Sequence, residues 1–238
     1  MQVHILSHEA AIGRMAGEII ANIITHKPNA VLGLATGSTP LPVYKDLIGR
    51  GLDFSQVSSY NLDEYVGLAK TDPQSYHYYM KQALFNHINI DPNQTHLPDG
   101  MAADPHQEAL DFEAKIQAAG GVDVQILGIG ENAHIGFNEP GDYFELGTRV
   151  ATLAQSTVDA NAIYFDKKED VPTTALTMGI GTIMKAKKII LIATGTKKAQ
   201  AVAAMLTQKI TPAVPASILH VHPDVTVLLD KAAAATIK

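Results

Sequence analysis

Short apolar runs alternate with helical periodicity along this chain. Ile12, Met15, Ile19 and Ile23 recur at steps of three and four, which predicts a helix over residues 8–26 that ends before Pro28. Val31–Ala35 reads as a buried strand and Thr36–Pro40 as a turn, and Leu41, Tyr44, Leu47 and Ile48 mark a second helix. Gln56–Leu62 predicts a strand and Ser75–Asn86 a helix. Residues 91–106, rich in Asp, Pro, Asn and Gly, predict an irregular connection, and 107–119 an amphipathic helix. Val122–Gly128 is the clearest buried strand. Residues 131–175 read as long loops with short elements. Lys188–Thr194 predicts a strand, Lys197–Gln208 a helix and Val225–Asp230 a last strand. Strands that alternate with helices and are almost continuously apolar predict an α/β fold. Its sheet is open, doubly wound and mostly parallel, with helices on both faces in a Rossmann-like three-layer arrangement. No repeat, low-complexity tract or linker divides the chain, so residues 1–238 are expected to form one domain. In such sheets ligands bind at the carboxyl ends of strands, where the strand order reverses.

Composition narrows the function. The 238 residues are 46% hydrophobic and 18% charged, enough apolar mass for a full core. Lys and Arg number 18 and Asp and Glu 24, a net charge of −6, which argues against duplex nucleic acid as a partner. With no cysteine there is no disulfide, thiolate zinc site or cysteine nucleophile, and a reducing cytoplasm suits the chain. The start, MQVHILSHEAAIGR, lacks the pattern of a signal peptide, and no apolar run approaches the about 18 residues of a spanning helix.

Four polar clusters follow predicted strands. In Thr36–Pro40, Gly37 lets backbone approach a ligand. Ser38 and Thr39 add hydroxyls to the free N–H groups of a helix start, a combination that suits a phosphate monoester and equally a plain capping turn. No Walker pattern is present. Asn61–Tyr65 places Asp63 and Glu64 side by side at a strand end, either a general base or a solvated loop; as a base, Asp63 needs desolvation to work at neutral pH. Gly128–Gly141 contains G-x-G-x-x-A, but Gly136, Pro140 and Gly141 spoil the helix a dinucleotide fold needs. Instead it collects Asn132, His134 and Glu139, an imidazole with a carboxylate to fix its tautomer. Lys197 and Lys198 open a helix, where a cation opposes the dipole unless an anion binds or both point into water. His220 and His222 lack the pattern of a metal site and read as structural.

Together, in this order, the segments LGLATGSTP, NLDEYVGL, SYHYYM, LGIGENAHIGFNEPG, VPTTALTMGIGTIM, ATGTKKAQAV and PASILHVH resemble the glucosamine-6-phosphate deaminases (glucosamine-6-phosphate isomerases). They span residues 32–222, and the length is similar to the short members that lack an allosteric C-terminal extension. The resemblance implies conversion of glucosamine 6-phosphate and water to fructose 6-phosphate and ammonia in amino-sugar catabolism, by a cytoplasmic monomer with no metal or organic cofactor. It implies that Asp63 is the enolisation base, that His134 opens the sugar ring and that Glu139 orients His134, with Asn132 beside them and Glu64 in support. Gly37, Ser38 and Thr39 match the phosphate turn and Lys198 the phosphate lysine. Residues 153–172 correspond to a mobile lid. Two positions depart from the pattern. Ile163 stands where many members carry Arg, and Leu146-Gly147-Thr148 where many carry Ser-Arg-Thr, which removes bidentate phosphate donors and leaves Arg149 as a nearby substitute.

Alternative readings are action on galactosamine 6-phosphate or on 6-phosphogluconolactone, since related folds host several activities. A further alternative is a non-catalytic sugar-phosphate sensor. That would go with an attached recognition helix, which does not precede residue 30, and with a degraded polar set.

Overall fold

The structure, a computed structural model, describes residues 1–207 and 209–237. Among the described residues ten strands and seven α-helices follow one another: β1 (Gln2–Leu6), α1 (Glu9–His26), β2 (Val31–Leu34), α2 (Leu41–Gly49), β3 (Ser58–Asn61), β4 (Asp63–Tyr65), α3 (Tyr76–Ala83), β5 (Thr95–His96), α4 (Pro105–Ala118), β6 (Val124–Leu127), β7 (Arg149–Thr152), α5 (Gln155–Asn161), β8 (Thr174–Thr177), α6 (Ile180–Met184), β9 (Lys188–Ala193), α7 (Ala199–Leu206) and β10 (Val225–Asp230). Seven strands form one parallel sheet in the order β1-β10-β9-β6-β2-β3-β5. Its central strands are buried along their length, as the continuous apolar runs require. With the right-handed crossovers general to parallel strands, this order places α1, α2 and α3 on one face and α4, α6 and α7 on the other. The chain moves outward from β2 through β3 to β5, then returns to β6 on the other side of β2. That reversal between β2 and β6 is the switch point, and the turns after β2, β3, β6 and β9 crowd around it.

Three features depart from the pattern-based expectation. β1 pairs with β10 at the edge of the sheet, although QVHIL has no apolar run. Within the connection over residues 91–106, Thr95 and His96 add a short strand to β3, where His96 stacks on Tyr60. A second, antiparallel sheet, β4-β8-β7, arises where only a loop end and a loop tract were expected. Leu62 hands the chain from one sheet to the other: its N–H donates to Leu34 O of the large sheet (3.0 Å), and its carbonyl accepts from Met178 N beyond β8 (2.7 Å). The helix read to Gln208 is a short 3-10 turn, Thr196–Lys198, leading into α7; Gln208 itself lies outside the described residues. The main core runs along the large sheet. A satellite core of Tyr65, Phe137, Ala151, Leu153, Val158, Val171 and Ala175 fixes the small sheet to residues 153–171.

Candidate active site

The hand-over at Leu62 makes Asp63 the first residue of β4, opposite Thr177 of β8. Its carboxylate is buried and receives no hydrogen bond from a described residue. Burial first, and then the charge of adjacent Glu64, pushes Asp63 up to about 8. The desolvation that the sequence reading required of a base is therefore present. Gly136, at φ +57°, sits so close that a side-chain carbon there would lie 3.1 Å from Thr177 Oγ1 and 3.9 Å from Asp63 Oδ2. The loop after β6 thus closes on the Asp63 carboxyl.

In that loop Glu139 gathers three donors. Asn132 Nδ2 donates to Oε2 (2.6 Å), His134 Nδ1 lies 3.2 Å from the same oxygen, and Thr157 Oγ1 of α5 donates to Oε1 (2.5 Å). Burial works to raise Glu139, but the hydrogen bond and attraction of His134, with Thr157 and Asn132, outweigh it and hold the carboxyl down to about 2. A carboxylate at Nδ1 selects the Nδ1–H tautomer and leaves Nε2 as the free lone pair. The imidazole lies flat on Gly130: any side-chain carbon there would come within 2.4 Å of the ring. Ala133, in the left-handed region at φ 68°, is pinned by Gly130 O and Ala216 N and aims the next residue, His134.

The turn after β2 is held by two tyrosines. Tyr44 bonds the backbone of Ala35, and Tyr79 donates to Gly37 O (2.5 Å). Gly37 has φ +86° with open space where a side chain would be. α2 begins without a side-chain cap, and neither Ser38 nor Thr39 spends its hydroxyl on a described residue. The capping alternative is therefore not what this turn does. Thr39 faces the loop after β6, 3.9 Å from where a Gly128 side chain would begin.

Lys198 follows β9, the neighbour of β6. It is half-buried and ion-paired to no described residue, and burial lowers its pKa while Glu131 draws it up. Lys197 is exposed, with its Nζ 3.9 Å from Glu131. The Gly195 N–H is taken by the Asp230 carboxylate. The site that results has a hydroxyl-rich turn and a lysine, a buried carboxyl of raised proton affinity, and an imidazole fixed by a carboxylate.

Residues 7–228 match the family described as glucosamine-6-phosphate isomerases/6-phosphogluconolactonase. The chain belongs to this family. Within the family, a protein named glucosamine-6-phosphate deaminase from Clostridioides difficile (strain 630) is 52% identical over 98% of this chain and 96% of its own. The solved structure of a monomeric glucosamine-6-phosphate deaminase superposes with a TM-score of 0.97 at 45% identity, covering 99% of both chains. A 6-phosphogluconolactonase from Leishmania guyanensis shares the fold, with a TM-score of 0.81 at 23% identity over 100% of this chain and 98% of that one.

Arg149 does not stand in as a free phosphate clamp, because its guanidinium donates to Asn138 Oδ1 (2.8 Å) and its Nε lies 3.9 Å from Glu145. Ile163 is 79% exposed, so the missing Arg is not replaced by a buried contact. Glu64 is no solvated neighbour but a fully buried anchor for α3. His220 and His222 each place Nε2 on a backbone carbonyl, of Met205 and Ala186. Thr157 and Tyr79 escaped the sequence reading, since each meets its partner only through the tertiary fold.

Proposed function

We propose that the protein converts glucosamine 6-phosphate and water to fructose 6-phosphate and ammonia. The observation that carries this reading is the pairing of a desolvated carboxyl, Asp63, with an imidazole oriented by Glu139, both beside a turn whose hydroxyls are uncommitted. Gly37, Ser38, Thr39 and Lys198 bind the phosphate, and that anchoring positions the reacting carbons. Through Nε2, His134 takes the anomeric hydroxyl proton and returns it to the ring oxygen, which opens the ring. Asp63 takes the proton from C2 and delivers it to C1 while a proton passes from the amino group to O1, leaving a C2 imine; water adds there, ammonia departs, and C2 becomes the ketone. Asn132 and Glu139 hold His134 through these transfers, and none of the steps calls for a metal or organic cofactor. The whole chain acts as one domain and one copy in the cytoplasm, with neither nucleic acid nor membrane as partner. Residues 153–172 serve as a lid fastened to Glu139 through Thr157.

Ammonia release from glucosamine 6-phosphate, compared with galactosamine 6-phosphate, and lactone opening of 6-phosphogluconolactone test the reading. Release from the first substrate is expected, and none from it would end the proposal. Lys198→Ala is expected to raise KM about tenfold or more with kcat nearly unchanged, as loss of a charged phosphate contact should. An unchanged KM in steady-state assays would remove Lys198 from the phosphate site.

A further inference from the structure

The small sheet sets three side chains in a row beside the His134 loop. Asp63 of β4 stands opposite Thr177 of β8, and Thr177 stands opposite Arg149 of β7. Residues directly opposite in antiparallel strands project from the same face of the sheet. The loop after β6 lies along this row, residue by residue. A side-chain carbon on Gly136 would meet Thr177 Oγ1 and Asp63 Oδ2. The Phe137 N–H donates to Thr177 Oγ1 (3.1 Å), and Asn138 Oδ1 accepts from Arg149 Nη1 (2.8 Å). The buried Asn138 amide spends its two N–H donors on Ile135 O (2.8 Å) and Met178 O (2.9 Å). Met178 N in turn donates to Leu62 O (2.7 Å), one residue before Asp63. Met178 therefore carries the Asp63 strand on its N–H and the His134 loop on its carbonyl.

We propose that Arg149 is a positioning residue: through the Asn138 amide it holds the His134–Glu139 pair in register with Asp63. The inference deepens the deaminase reading and rests on it for its catalytic meaning. It gives Arg149 a task other than the phosphate contact that the sequence suggested. An Asn amide has a donor end and an acceptor end, and its neighbours choose between two orientations. Arg149 only donates and the two carbonyls only accept, so all three agree on one. The other ionic contact of Arg149, with its Nε 3.9 Å from half-exposed Glu145, is a weak one. Without the guanidinium, Oδ1 is left buried and unpaired. The amide then turns to find a donor, its ties to Ile135 and Met178 slacken, and Glu139, the next residue, shifts against His134.

The test compares the wild type with Arg149→Met, Asn138→Ser and the double variant, by ammonia-release kinetics and by nitrogen NMR of the His134 ring at pH 8.5, its signals identified by their loss in His134→Gln. Arg149→Met is expected to lower kcat about tenfold or more with KM within twofold, as a displaced acid–base pair should. A raised KM with unchanged kcat makes Arg149 a phosphate contact and overturns the proposal, and so do wild-type values of both. The double variant is expected to be no slower than Asn138→Ser alone, because Arg149 acts through that amide; losses that multiply overturn the relay. In the ring spectrum the wild type is expected to show the Nδ1–H tautomer and Arg149→Met a mixture of both tautomers. A wild-type spectrum in the variant overturns the proposal. Should the Met variant not fold, Arg149→Gln takes its place with the same expectations, since its amide stops short of Asn138 and keeps a polar end for this half-buried position. The spectrum is read without substrate. A wild type that releases no ammonia therefore removes the deaminase reading and leaves the ring tautomer to decide the relay.

Discussion

Asp63→Asn lowers kcat by about a thousandfold or more while glucosamine 6-phosphate still binds close to normally; this is the largest single effect the site forecasts. The amide fills the same volume opposite Thr177 and cannot carry a proton between adjacent carbons. The Gly37 turn and Lys198, which the proposal assigns to the phosphate, follow other strands, so affinity is expected to survive. The substitution also has a stability signature of definite sign. Asp63 binds its proton more tightly folded, at about 8, than at its ordinary 3.8. The stability this confers is complete below pH 3.8 and is lost as pH rises through 8. The wild type is therefore handicapped at alkaline pH by this buried carboxyl, and Asp63→Asn is expected to melt at a higher temperature than wild type at pH 8.5, with the gap closing toward pH 4. Steady-state kinetics, calorimetric ligand binding and melts at the two pH values check the whole set. Binding lost in step with kcat, or a variant less stable at pH 8.5, would make Asp63 a structural residue.

The split between what could and could not be read along the chain follows from distance. β2, β6, β9 and β10 announce themselves because a doubly covered strand must be apolar throughout, a local property. The clusters at Gly37, Asp63, His134 and Lys198 were visible for a related reason: each follows a strand, and a parallel sheet brings the carboxyl ends of its strands together. β4 was not visible, because Asp-Glu-Tyr has two residues that disfavour strands; it is a strand only because β8, more than a hundred residues later, pairs with it. β1 likewise depends on β10 at the far end of the chain. Side chains that secure the site are hidden in the same way. Tyr79 is 42 residues from Gly37 and Thr157 is 18 from Glu139, and no periodicity links either pair. Glu64 misleads in the opposite direction. Two adjacent carboxylates look like a solvated loop end, and only α3, arriving with two N–H groups and His77, makes burial of the second tolerable.

Glu139→Gln isolates charge from shape and is expected to lower kcat about a hundredfold. The amide oxygen can still accept from Asn132 and His134, and the amide nitrogen can meet Thr157, whose hydroxyl turns to accept. What disappears is the negative charge that favours a protonated His134 during ring opening. The opposite amide orientation would present a donor to Nδ1 and force the wrong tautomer, which also lowers kcat. Thr157→Val is the control: it breaks the link to α5 and leaves the charge in place, so it should act on KM more than on kcat. The carboxyl also leaves a mark on acid unfolding. With Glu139 held at about 2 when folded against an ordinary 4.5, its stabilisation is present above pH 4.5 and lost as pH falls toward 2. Between those values the wild type loses stability that Glu139→Gln does not have to lose, so their denaturant midpoints converge on acidification. A Gln variant within twofold of wild-type kcat would show that the loop needs only the shape of residue 139. Parallel pH dependence of the two midpoints would show that the contacts of Glu139 with His134, Asn132 and Thr157 do not stabilise its charge.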